Sequence, residues 1–352
     1  MHDPSSAPAI APFANCPALD GYHCVTNSLR NIFHHAGHPH LEEMLLGLGA
    51  GMGFIYWQMK MPAGMYVFVG GRGNAKNFFR DVGKRTGVEI AEVTTASAQK
   101  AEAALLDVLA RRQPAMLGGD MGFLPWFHFP EEYHFGGHTF VVCGYDGKGN
   151  VLASDMDPQM AGLKKGFYAP ISLEQLRKAR GSPFKPFPPK NLRLEFDFAG
   201  FRKPGPREIA ASIEQTIDAH LNPPIKNFGV AGMRHTASQL LKWPKLFDDR
   251  ELRSNLFNLY IFIEIGGTGG GCFRCMYARF LKEAAEITGN DALAAAAKEF
   301  ESSGKRFSRI GQLFKDAEKM EDVEAAILTA SAEFRAIADQ EEEAYRFLKK
   351  VL

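Results

Sequence analysis

The stretch His138-Thr139-Phe140-Val141-Val142-Cys143-Gly144-Tyr145, followed by Asp146-Gly147-Lys148-Gly149-Asn150 and then Val151-Leu152-Ala153-Ser154-Asp155, commits the chain to an antiparallel sheet. Two apolar runs of strand length, rich in β-branched and aromatic residues, are joined by five turn-forming residues, so strand propensity and turn chemistry agree on a hairpin. The outer ends of a hairpin lie at one sheet edge. His138, which opens the first run, and Asp155, which closes the second, therefore emerge side by side. A further strand is expected over residues 114–118, Pro-Ala-Met-Leu-Gly.

Upstream of the sheet the pattern is helical. Residues 22–36 place Cys24, Val25, Leu29, Ile32 and Phe33 at helical spacing and stop at Gly37, and further helices are expected over 41–48, 74–86 and 98–111. A glycine-rich stretch, Gly47-Leu48-Gly49-Ala50-Gly51-Met52-Gly53-Phe54, follows the second of these. Prolines crowd residues 181–206 around a short strand at 192–196, which marks a domain boundary. Beyond it, helices are expected over 207–221, 233–241, 249–265, 272–288, 291–302 and 323–352. The reading is an α+β chain with an antiparallel-sheet domain over 1–200 and a mainly α-helical domain over 201–352.

Composition narrows the function classes. With 41 basic and 40 acidic residues in 352, the chain has no electrostatic footprint for nucleic acid or anionic membrane. Residues 1–20 contain no basic, apolar signal-like segment, and no apolar run reaches membrane-span length, so a cytoplasmic location is expected. The odd set Cys16, Cys24, Cys143, Cys272 and Cys275 argues against a disulfide framework. Cys272-x-x-Cys275 lacks a second such pair or a suitably placed His pair and reads as buried helix thiols. The histidines of His34-His35-Ala36-Gly37-His38-Pro39-His40 read as a solvated helix end suited to the C-terminal dipole, with no metal implied.

Against that background Cys24 stands out. A thiol at a helix start feels the positive end of the dipole and lies beside unpaired backbone N–H groups. With a His beside it and a carboxylate to orient the imidazole, it becomes a nucleophile. The candidates are Cys24 as nucleophile, His138 as base and later acid, and Asp155 as orienter, with Asp157 as the alternative because it shares a strand face with Asp155. The backbone N–H of Cys24, with Asp20, Tyr22, His23 and Asn27, makes up the candidate oxyanion or substrate contacts. The run Gly266-Gly267-Thr268-Gly269-Gly270-Gly271 precedes a helix bearing Arg274 and is a second candidate contact, Gly269, Gly270 and Arg274 holding a phosphate or phosphopantetheine arm, although a tight interhelical connection with close backbone approach accounts for it about as well. It lacks the Lys-Ser or Lys-Thr of a Walker motif.

Several of these pieces together resemble the butirosin biosynthesis protein H family: His23-Cys24 with Asn31, the 47–54 glycine stretch, Gly70-Gly71-Arg72, Gly136-Gly137-His138-Thr139-Phe140-Val141-Val142 and Ala153-Ser154-Asp155. The remainder resembles the helical domain of unknown function often fused to it, through residues 265–271 and Phe273-Arg274-Cys275-Met276-Tyr277. The resemblance implies a papain-like cysteine peptidase or acyltransferase fold, and an acyl group passed from an acyl carrier protein thioester through Cys24 to a small amine acceptor in secondary metabolism. It implies no cofactor, the acyl-phosphopantetheine thioester being substrate. No glutamine stands a few residues before Cys24, where related peptidases keep one. A papain-like peptidase or amidase, and a binding protein without turnover on the same fold, are the alternatives.

Overall fold

The computed structural model describes residues 10–61, 64–130, 132–157 and 162–352. In chain order its first elements are α1 (Cys24–His35), α2 (Glu42–Leu48), β1 (Met52–Met61), β2 (Gly64–Arg72), α3 (Phe78–Thr86), β3 (Glu89–Val93), α4 (Ala98–Ala110), β4 (Ala115–Gly119), β5 (His138–Tyr145), β6 (Asn150–Met156), β7 (Gly166–Ser172), α5 (Leu173–Gly181) and β8 (Arg193–Asp197). Helices follow: α6 (Pro206–Leu221), α7 (Gly229–Leu240), α8 (Trp243–Leu246), α9 (Asp249–Tyr260), α10 (Arg274–Thr288), α11 (Asp291–Leu313) and α12 (Val323–Val351). The chain is a mixed α+β protein whose C-terminal part is mostly helical.

Packing divides it into two compact units, residues 1–42 with 88–200 and residues 43–87 with 201–352. The first unit is built on a six-stranded antiparallel sheet of order β3-β8-β4-β5-β6-β7. β5 and β6 are buried along almost their whole length, as expected of central strands covered on both faces. Their turn is held by Asp146, whose carboxylate accepts the N–H groups of Lys148 at 2.6 Å and Asn150 at 3.0 Å. A register shift between Val142 and Gly144 bulges the hairpin, a common way to re-aim a strand end. β4 sets Gly119 opposite His138.

The second unit joins the β1–β2 hairpin to the C-terminal helices. Residues 47–54, read as a glycine-rich connection, run straight into β1, and the 291–302 helix extends to Leu313 as α11. The helix begun at Asp249 passes at Ile261–Ile265 into a wider π turn ahead of the glycine run. Among the described residues, no helix is long and apolar enough to cross a membrane.

Candidate active site

Cys24 is the first residue of α1 because the residues before it cap the helix. His23 is extended and accepts the N–H of Thr26 at its side chain. The buried carboxylate of Glu42 accepts the backbone N–H groups of Tyr22 and His23, both at 2.8 Å, and the Thr26 hydroxyl at 2.6 Å. A carboxylate at the positive end of a helix is favoured by the dipole and satisfies its orphan donors. The N–H of Cys24 belongs to the first-turn set that a helix leaves without an intrahelical acceptor.

The sheet brings the other two groups to this helix start. His138 Nε2 lies 2.7 Å from Asp155 Oδ2, both side chains nearly fully buried. The Cys24 thiol is in hydrogen-bonding contact with the His138 ring and with the backbone N–H of Thr139. With Nε2 committed to Asp155, the ring offers Nδ1 to the sulfur. Burial alone would raise the Cys24 pKa, but the hydrogen bond and charge of His138 and the Thr139 N–H outweigh it, and the thiol is held below its ordinary value. Burial likewise opposes charge on His138, yet the Asp155 carboxylate and the sulfur push it up to about 10. The proton is thereby favoured on nitrogen and the negative charge on sulfur.

Asp155 is itself held on three sides. Oδ2 also accepts the indole N–H of Trp126 at 2.9 Å, and Oδ1 accepts the N–H of Met156 at 2.8 Å. The Trp126 ring packs edge-on against Phe140 and Phe167, so it positions the carboxylate and shields it from water. Asp157, the alternative orienter, lies beyond the end of β6; its backbone N–H donates to Lys165 O at 2.8 Å, and its charge acts on Lys164. Lys164 is buried and pairs backbone to backbone with Gly21, at 2.9 and 2.8 Å. Burial lowers its pKa, while the charges of Asp157, Cys24 and Asp155 support its ammonium form.

The other candidate contacts are otherwise engaged. Asp20 accepts Lys165 Nζ at 2.8 Å and the Gly166 N–H at 3.0 Å, which anchors β7 and holds the carboxyl below its usual range. Asn27 donates its amide to Leu19 O at 3.0 Å, and the N–H groups of Tyr22 and His23 are taken by Glu42, so none of these three offers those donors to an oxyanion.

Gly269, Gly270 and Arg274 belong to the second unit, and the geometry there is that of packing. A Cβ on Gly271, at φ +59°, would lie 2.6 Å from Gly304 O, and a Cβ on Gly71 would collide with Cys272 O. Two of the N–H groups an anion would draw on are taken: Gly271 donates to Glu264 Oε1 at 3.0 Å and Gly270 to Thr268 Oγ1 at 3.2 Å. Arg274, wholly buried, is bidentate to Glu341 at 2.9 and 3.1 Å and donates to the carbonyls of Gly53 and Cys272. These bonds make Arg274 a structural ion pair and correct its reading as a substrate contact. Burial raises the thiols of Cys272, to about 12, and Cys275. At the far end of α1, His34 and His35 contact the carbonyls of Asn15 and Ala14, His35 also meets Gln113, and His38 stacks on Phe198.

Trp126 and Lys164 also belong to this neighbourhood, and the sequence reveals neither. Both reach it from loops, through contacts that no local spacing encodes.

No curated protein matches the chain. A family model described as butirosin biosynthesis protein H, N-terminal, matches residues 23–156, which include Cys24, His138 and Asp155, and one described as a domain of unknown function, DUF4872, matches residues 174–348. The chain is a butirosin biosynthesis protein H N-terminal domain followed by a C-terminal DUF4872 domain.

Proposed function

We propose that the chain is a cysteine-dependent acyltransferase of papain-like fold, acting in antibiotic or related secondary-metabolite biosynthesis. The observation that carries this is the contact of Cys24 with an imidazole whose far nitrogen is held by a buried carboxylate, an arrangement that favours thiolate beside imidazolium. The family description supports the biosynthetic setting.

In the first step the Cys24 sulfur attacks the carbonyl carbon of an acyl thioester, whose donor we take to be a phosphopantetheine arm on an acyl carrier protein. The new C–S bond forms, the old one breaks, and His138 gives its proton to the departing thiolate. In the second step an amine attacks the acyl-cysteine, the C–N bond forms, and His138 takes the amine proton as Cys24 leaves as thiolate. The Thr139 N–H contacts the sulfur, the first N–H of α1 has no intrahelical acceptor, and the Lys164 ammonium adds positive charge to the neighbourhood. The chain's own residues account for each proton in this sequence.

Intact-mass measurement after incubation with a panel of acyl thioesters, with and without amines, tests the reading. The expected result is one acyl adduct, lost in Cys24→Ala and discharged by amine. Discharge at the same rate by water alone makes the protein a hydrolase, and no adduct with any thioester refutes covalent catalysis.

A further inference from the structure

A row of aromatic rings leads from His138 to the surface of the first unit. Phe127 packs edge-on against the His138 ring with centroids 5.0 Å apart, Phe129 stacks on Phe127 at 5.5 Å, and Tyr133 meets Phe129 at 4.3 Å. Exposure rises along the row, from 3% at Phe127 to 38% at Phe129 and 42% at Tyr133. Single exposed rings are ordinary on a protein surface, but a contiguous set that ends on a buried titratable ring is the makeup of a ligand site.

The loop that carries the row is fixed at its base. Asp120, fully buried, accepts the N–H groups of Gly122 and Phe135 at 3.0 Å through one oxygen, and the Ser182 hydroxyl and His134 Nδ1 through the other. Between these clamps Trp126 is tied to Asp155, and Phe127 and Tyr133 close turns onto the carbonyls of Leu124 and Pro130. The rings are held in place before any ligand arrives, which lowers the entropy cost of binding.

We propose that Phe127, Phe129 and Tyr133 form the acceptor side of the candidate active site and select amines carried on an aromatic or similarly flat apolar framework. The proposal rests on the acyltransferase reading, in which the attacking nitrogen must come within hydrogen-bonding reach of His138 to give up its proton. Substituents on that nitrogen then extend from the imidazole, which Phe140 stacks on from within the sheet and Phe127 meets edge-on from the side of the exposed rings. The acyl chain hangs from the carbonyl carbon at the sulfur, one atom further away. A departing thiol passes the same ring nitrogen, but a flexible aliphatic arm gains little from stacked faces, whereas a planar ring gains an offset or edge-to-face contact with each.

The test starts from acetyl-Cys24 enzyme made with the acetyl thioester of N-acetylcysteamine and freed of excess thioester. Its discharge is followed by intact mass with benzylamine and with allylamine, which are of similar basicity. Benzylamine is expected to be faster by about tenfold, the worth of one good ring contact. In F129A/Y133A that ratio is expected to fall to near one, and in the milder F129L to an intermediate value, with circular dichroism checking the fold of each. A wild-type ratio near one overturns the proposal, as does a ratio that survives in F129A/Y133A. Slower acetylation of F129A/Y133A with the amine ratio intact also overturns it, because the row then serves the leaving thiol. If wild-type enzyme never acetylates, the acyltransferase reading itself falls, and that failure precedes any amine.

Discussion

Replacing Asp155 by Asn tests the electrostatics of the site most directly. The carboxylate lies 2.7 Å from His138 Nε2 in a buried setting, and with the sulfur it holds the imidazole at about 10 against an ordinary 6.5. A group raised in this way favours the folded, protonated form; its contribution is complete below about 6.5 and is lost as pH rises through about 10. Breaking one partner out of a buried charge pair costs on the order of 3–5 kcal/mol, so the ring should lose about two to three and a half decades of proton affinity and titrate back toward its ordinary range. The effect on Cys24 has two signs. Asp155 itself disfavours the thiolate, so removing its charge helps the sulfur ionise, but the hydrogen bond and charge of His138 lower the thiol pKa more strongly than Asp155 raises it. The net expectation is that the acid limb of Cys24 alkylation by iodoacetamide moves to higher pH, with slower reaction at pH 7. Nitrogen chemical shifts of His138 against pH report the ring directly. Asp157→Asn should leave both curves in place. An Asp155→Asn protein that keeps the wild-type His138 titration, or alkylates as fast at pH 7, refutes the reasoning.

Two further outcomes test the frame around the site. Glu42→Gln leaves an amide facing the N–H groups of Tyr22 and His23, where the carboxylate now accepts both at 2.8 Å, and should cost about 3 kcal/mol in urea unfolding of the whole chain; an unchanged midpoint would show that α1 does not depend on this cap. Arg274→Met strands the Glu341 carboxylate, 1% exposed, and should cost about 3–5 kcal/mol, whereas Arg274→Met with Glu341→Leu should recover much of the loss. Equal stability of wild type and the single variant would remove the ion pair from the account of this unit.

The parts of the fold that were legible carry their own local signals. The Asp146–Asn150 turn between two apolar runs, the start of α1 and the long amphipathic helices α11 and α12 each agree with their neighbours in sequence. β1 and β2 do not read as strands: their glycines, 53, 64, 70 and 71, fall at the strand ends, and runs such as Tyr66-Val67-Phe68-Val69 are apolar without polar alternation, while β3 reads Glu-Ile-Ala-Glu-Val with almost every side chain exposed. Nor does order along the chain reveal that residues 43–87 pack with 201–352, since that pairing rests on contacts such as Arg274 with Gly53 O and a Cβ-excluding approach of Cys272 O to Gly71.

The same distinction runs through the candidate site. Cys24, His138 and Asp155 sit at element ends, where a helix start and a hairpin fix position from a few neighbouring residues, and a chemical role can be assigned to each from type and setting. Trp126, Thr139 through its backbone, and Lys164 act through distance alone. The glycine run had the opposite fault: its spacing suggested a ligand cradle, yet its donors close onto Glu264 and Thr268, and its glycines answer to Gly304 of α11. A backbone approach too close for a Cβ demands glycine as strongly as a phosphate does, and only the identity of the neighbour distinguishes the two.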